Sequence, residues 1–291
     1  MAVDLTQVSA SSGWLPSDDL TGALNQLRFE PAGLVTVTAV RGSVPRGGDA
    51  WMLVFPDRAW GTVGGGHLEW EALAWARQLP SGSVPQHRRI NLGPALGQCC
   101  GGAVELCCEA VGPSDVPRLQ QQLAVRRRPL ALFGGGHVGH ALVRALLPLP
   151  FQTRWVDSRE TVFPTDLPAH VVVDASDPVE AAVADLAPGS FVLIMSFSHA
   201  EDLEILRKCL DRQAERGDLP FIGLIGSRTK WAVFQRRLLA RGLPQALLDQ
   251  VTCPIGLPGI EGKQPAVIAA SVVAQLLLQA VRPMPHEDFE K

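Results

Sequence analysis

Tyrosine is absent from all 291 residues. A catalytic tyrosine–lysine pair is therefore excluded, although tryptophan occurs 7 times. None of the 6 cysteines stands in a CxxC pair, so the spacing of a zinc knuckle is missing. No GxSxG elbow occurs, which leaves a serine hydrolase without its nucleophile turn. An excess of one charge is also lacking: 26 basic residues face 29 acidic ones, for a net charge of −3. Nothing global then draws in nucleic acid or an anionic membrane. Long apolar runs are wanting too. The first 15 residues have neither a basic n-region nor an apolar core, so no export signal is read there. Residues 131–149 are broken by His137, His140 and Arg144, and residues 265–281 by Gln275 and Gln279. Both read as buried helices of a soluble, cytoplasmic protein with reduced thiols.

What is present is organised around residues 129–157, PLALFGGGHVGHALVRALLPLPFQTRWVD. A short apolar strand at 130–133 runs into Gly134, Gly136 and Gly139 in GxGxxG spacing. Val138, Leu142, Val143 and Leu146 then recur at helical steps until Pro148. Residues 153–156 read as a second strand, with Asp157 at its end. In this pattern Gly134 serves the sharp turn, Gly136 the approach to a pyrophosphate, and Gly139 the packing of helix on sheet. The helix N-terminus attracts an anion. Asp157 stands where a carboxylate takes ribose hydroxyls. The pattern predicts a Rossmann-like, doubly wound parallel sheet. Whether the loop still holds a nucleotide, or its glycines serve only turn and packing, stays open at this level.

The chain is long enough for two domains. The predicted division is an α/β N-terminal domain at 1–112, a linker helix at 113–128 and the Rossmann-like domain at 129–291. In the first part a helix is expected over 18–30 and strands over 34–40, 51–55, 88–92 and 103–108. The loop RGSVPRGGD carries Arg41, Ser43 and Arg46, which suit either a phosphate or a solvated turn. WGTVGGGHLEW places Gly64, Gly65 and Gly66 before a helical pattern, with His67 as a ligand or a local cap. LGPALGQCCGG holds the adjacent Cys99 and Cys100 on a glycine loop, where thiols are accessible and suited to soft metals and sulfur chemistry. Cys107 and Cys108 alternate along a strand and read as small hydrophobes.

Beyond Asp157, strands are expected at 170–174, 190–195 and 220–225. Helices are expected at 178–186, 202–216, 231–242 and 265–281. Loops after parallel strands gather at one crevice, so Ser196, Ser198, His199 and Asp202 should lie near the glycine loop. GSRTK, with Arg228 and Lys230, also looks suited to an anion.

These motifs together resemble the XdhC/CoxI family of xanthine dehydrogenase accessory proteins. The resemblance rests on GSVPR, GTVGGGHLE and GQCCGG in the first part. In the second it rests on FGGGHVG, WVDSRE, SFSHAEDLEIL, LIGSRTK and CPIGLPGIEGKQPAVIAASVVAQLL. It covers nearly the whole chain. It implies a cytoplasmic, dimerising chaperone that binds molybdenum cofactor in its molybdopterin form and assists addition of the terminal sulfido ligand. Such a protein works with a cysteine desulfurase and delivers the cofactor to the molybdenum-binding subunit of xanthine dehydrogenase. By the same resemblance Cys99 and Cys100 are candidates for the molybdenum side, and His67 in GTVGGGHLE is a further candidate for cofactor binding. Gly134, Gly136, Gly139 and Asp157 match the nucleotide-type loop. No catalytic residue of its own is implied. Two other readings stand beside this one: an NAD(P)-dependent oxidoreductase using the Rossmann domain, and a scaffold that only docks desulfurase to dehydrogenase.

Overall fold

β-Branched and aliphatic residues at 32–41 form the long central strand of the first of two sheets. The computed structural model describes residues 20–44, 46–48, 50–80, 82–92 and 102–280, together with the backbone of a short strand at 14–15. Cys99, Cys100 and the rest of residues 93–101 lie outside the described residues. The chain divides into two units, residues 1–125 and 126–291.

In the first unit the order of elements is β1 (Trp14–Leu15), α1 (Leu20–Leu27), β2 (Ala32–Arg41), β3 (Trp51–Val54), β4 (Ala59–Gly61), α2 (Gly66–Gln78), β5 (Gln86–Asn91), β6 (Ala103–Val111) and α3 (Val116–Gln122). The sheet order is β1-β4-β3-β2-β6-β5, antiparallel except for the β1–β4 pair. Strand alternation sends Val35, Met52, Val54, Leu106 and Cys108 to one face, under Leu68, Ala72 and Trp75 of α2. Leu34, Leu53 and Val111 go to the other, against Leu24 and Leu27 of α1 and Leu119 of α3. Residues 113–128 were expected as a linker helix. α3 covers only part of that span, and its Val116 and Leu119 are core residues of the first unit. The apolar spacing of those two residues decides this, because they find a core within reach.

The second unit contains β7 (Arg128–Phe133), α4 (His137–Leu146), β8 (Phe151–Val156), β9 (Val171–Asp174), β10 (Phe191–Ile194), α5 (His199–Arg216), β11 (Phe221–Leu224), α6 (Arg228–Ala240), α7 (Gln245–Leu248), β12 (Val251–Thr252) and α8 (Pro265–Ala280). Every strand pair is parallel, in the order β9-β8-β7-β10-β11-β12. This is the doubly wound order of a Rossmann fold, with its reversal between β7 and β10. Leu130 and Leu132 face α4 and α8, and Ala131 and Phe133 face α5 and α6. Residues 179–185 form a 3₁₀ segment where an α-helix was expected. Its buried Val179, Ala182 and Val183 have a spacing that satisfies either helix. β12 and α7 were not anticipated. Among the described residues no helix is long and apolar enough to cross a membrane.

Candidate functional site

Two places gather the residues singled out by the sequence, one in each unit. In the first, antiparallel pairing brings loop-bearing strand ends to one end of the sheet. Arg41 ends β2, Gly61 ends β4, Asn91 ends β5, and Ala103 begins β6. Register places Arg41 and Asn91 both opposite Ala103. GSVPR and the stem of GQCCGG therefore emerge side by side, while TVGGG leaves β4 toward the same end of the sheet but level with Val35 of β2. Leu92 N–H donates to the Gly102 carbonyl at 2.8 Å, closing the base of the cysteine loop. A β-carbon on Gly102 would lie 2.4 Å from the Ser43 carbonyl oxygen and 2.5 Å from that of Arg41, so the two loop stems touch.

The triple-glycine turn is held from within. All three glycines have positive φ, which L side chains disfavour. The buried Glu69 carboxylate accepts from Gly65 N–H at 2.9 Å and from the Thr62 hydroxyl. His67 sits on the exposed first turn of α2, with Nε2 3.2 Å from Glu71. The cap-or-ligand alternative thus gains a local partner at i+4. A larger cavity of about 650 Å³ opens at the opposite end, beside Gly33, Val54 and Val111.

In the second unit the sheet reverses between β7 and β10, and the glycine loop lies at that point. Gly134 has φ 128°, and a β-carbon there would meet the Met195 carbonyl oxygen at 2.1 Å. A β-carbon on Gly139 would meet the Gly134 carbonyl oxygen at 2.1 Å. These two glycines are required by packing. Gly136, which caps α4, has open space where its β-carbon would stand. It alone of the three keeps the role of an approach point for a ligand.

Asp157 occupies the expected position at the end of β8, but its carboxylate is filled. Oδ2 accepts from Gly135 N–H at 2.6 Å and Arg159 Nη2 at 3.0 Å. Oδ1 accepts from Arg159 N–H at 2.9 Å and Arg159 Nε at 2.8 Å. A carboxylate has about four acceptor positions, and ribose hydroxyls would have to displace one of these donors. Burial works to raise the Asp157 pKa. The Arg159 side chain and the backbone N–H groups of Gly135 and Arg159 outweigh it and hold the carboxyl below its usual range. Arg159 also lies over the exposed Phe197 ring, 5.0 Å from its centroid. Sequence reading missed Arg159, although WVDSRE places it two residues on.

That depressed carboxyl carries a pH prediction. A folded-state pKa below the unfolded value stabilises above the unfolded pKa, and the contribution is lost as pH falls through the folded one. Arg159→Ala removes two side-chain donors, so the Asp157 pKa rises and acid unfolding should begin at higher pH. An acid-unfolding midpoint unchanged by the substitution would contradict the pairing.

Ser196 and Asp202 do meet, as expected for loops at one crevice. Asp202 is buried. Its Oδ1 accepts from Ser196 N–H at 2.8 Å and the Ser196 hydroxyl at 2.9 Å, and its Oδ2 from Lys230 Nζ at 2.5 Å. Lys230 also donates to the Ile225 carbonyl at 2.8 Å. Ser198 caps α5 by accepting from Glu201 N–H at 3.1 Å, and His199 packs edge-on against Phe234. Among the described residues no histidine bridges Ser196 or Ser198 to Asp202. The Ser158 hydroxyl donates to Glu201 at 3.2 Å, and burial pushes the Glu201 pKa up. Burial raises the thiol of Cys253, at the end of β12, to about 11, Cys108 to about 11 and Cys209 to about 12. These are unreactive thiols at neutral pH.

Comparison with known proteins agrees with this architecture. Residues 27–91 match the XdhC and CoxI family, and residues 130–276 match the XdhC Rossmann domain. The uncharacterized protein YqeB of Escherichia coli (strain K12) is 30% identical over 255 residues, which cover 85% of this chain. They cover 43% of YqeB, so the chain spans less than half the length of that curated relative. A crystal structure described as a xanthine dehydrogenase from Bacillus halodurans shares the fold at a TM-score of 0.73 and 22% identity. The overlap covers 94% of this chain and 98% of that one. The two matched regions lead to one conclusion: this chain belongs to the XdhC and CoxI family.

Proposed function

We propose that the chain is an accessory factor of xanthine dehydrogenase. Its cargo is the molybdenum cofactor, in the molybdopterin form. It holds the cofactor while a cysteine desulfurase supplies the sulfur of the terminal sulfido ligand. It then passes the cofactor to the molybdenum-binding subunit of the dehydrogenase, working as a homodimer with no turnover of its own. Family membership supports the accessory role. The single observation that carries the cargo reading is the contact between the GSVPR stem and the GQCCGG stem at one end of the sheet. Arginine and a thiol pair are the chemistry that an anionic, sulfur-rich pterin complex requires. Cys99 and Cys100 are the candidates for the molybdenum side.

The experiment is anaerobic. The pure protein is incubated with isolated molybdenum cofactor and desalted, and bound molybdenum and pterin are assayed. Retention of both in a fixed ratio to protein is expected. The oxidoreductase alternative has the strand order and the open Gly136 in its favour. Tight NAD(P) binding with no retained molybdenum would replace the proposal with that reading.

A further inference from the structure

A small cationic cavity lies beside the cysteine-loop stem. β2 pairs with β3 only as far as Thr36 and continues beside β6 alone to Arg41. On β5, Arg88 turns to the α2 face and lies 4.5 Å over the Trp75 ring. Alternation therefore sends Arg89 and His87 to the other face. Register puts Arg89 opposite Glu105, and Arg41 opposite Ala103. Arg41 and Arg89 thus stand on the same face, on the two strands that flank β6. Ala39, Ala103 and Val104 complete a cavity of about 190 Å³ that both arginines line. Glu105 lines it too, with its carboxylate drawn to His87 Nδ1 at 3.8 Å. Among the described residues neither arginine has a carboxylate or hydrogen-bond partner.

We propose that Arg41 and Arg89 form a phosphate-monoester site. It would take the terminal phosphate of the pterin cargo. The cavity is smaller than the roughly 300 Å³ at which whole-ligand pockets begin, so it suits one small group. Two arginines that line one small cavity beside Ala39 and Ala103 are suited to phosphate oxygens. Charged edge strands also guard against aggregation, and Arg89 on β5 and Arg41 on the stretch of β2 paired with β6 alone both meet that description. Edge protection does not explain why the two share one face and line one cavity. The placement follows from the chain: Arg41 leads directly into GSVPR, and Ala103 follows directly on GQCCGG. The assignment of the phosphate to a pterin rests on the cargo reading. The site itself does not.

The test uses two probes on the full chain. Inorganic phosphate is titrated and followed by phosphorus NMR line broadening. Saturable broadening is expected, with affinity at least about tenfold weaker in Arg41→Gln/Arg89→Gln. Arg88→Gln, which removes the same kind of charge from the opposite face, should leave binding unchanged. The absence of saturable broadening would overturn the site, as would equal binding by the double variant or an equal loss in Arg88→Gln. Cofactor retention is measured in parallel. Phosphate binding without cofactor retention defeats the cargo reading and leaves the phosphate site standing.

Discussion

Replacing Lys230 by methionine should destabilise the second unit by about 3–5 kcal/mol. The Lys230 side chain is 10% exposed, and its ammonium pairs with an Asp202 side chain that is 2% exposed. Methionine keeps much of the lysine stem but offers no donor. Asp202 would keep Ser196 N–H and the Ser196 hydroxyl, while Oδ2 would be left buried and without its cation. The cost comes chiefly from that stranded charge. Asp202→Asn in the Lys230→Met background should recover part of the loss, because the charge is then gone. Urea unfolding of the two variants measures both effects. A Lys230→Met midpoint within error of the unmodified protein would show that the pair does not bind the β10 and β11 loops together.

Gly134→Ala should be still more damaging, by more than about 4 kcal/mol or by loss of folding. The new β-carbon would meet a backbone carbonyl oxygen at 2.1 Å, and backbone has no rotamer by which to escape. The backbone φ of 128° adds strain for any L side chain. Relief requires β7 and β10 to separate at the point where the sheet reverses. Gly136→Ala makes the contrast. Its surroundings are open and its φ is −79°, so stability should change by no more than about 0.5 kcal/mol. If a ligand approaches that backbone, its affinity falls in Gly136→Ala while stability holds. Thermal unfolding of both variants separates a packing glycine from an approach glycine. Equal losses at the two positions would contradict the assignment.

The second unit was largely legible because its signals are local. A strand, three glycines at fixed spacing and an amphipathic helix specify one turn, and two of the glycines do what that turn demands. The Asp157 position was legible for the same reason. Its occupancy was not, because the fingerprint supposes a ligand as partner and does not ask what stands two residues on. The Asp202–Lys230 pair was invisible for another reason. Its members are separated in sequence and meet only because β10 and β11 are adjacent. β12 escaped because two residues carry no periodicity. In the first unit the motifs were plain and their convergence was not. Strand direction, rather than spacing, brings Arg41, Gly61, Asn91 and Ala103 to one end of the sheet. Val116 and Leu119 were read as part of a linker because their core lies on distant strands.

The most direct measurement of the cargo role is molybdenum and pterin retention compared between the unmodified protein and Cys99→Ala/Cys100→Ala. Cofactor is incubated anaerobically with each, followed by desalting and assay of both components. The predicted result is retention of both by the unmodified protein and loss of molybdenum from the double variant. Equal retention by the double variant would remove the thiols from the site, and no retention by either protein would contradict the cargo role itself.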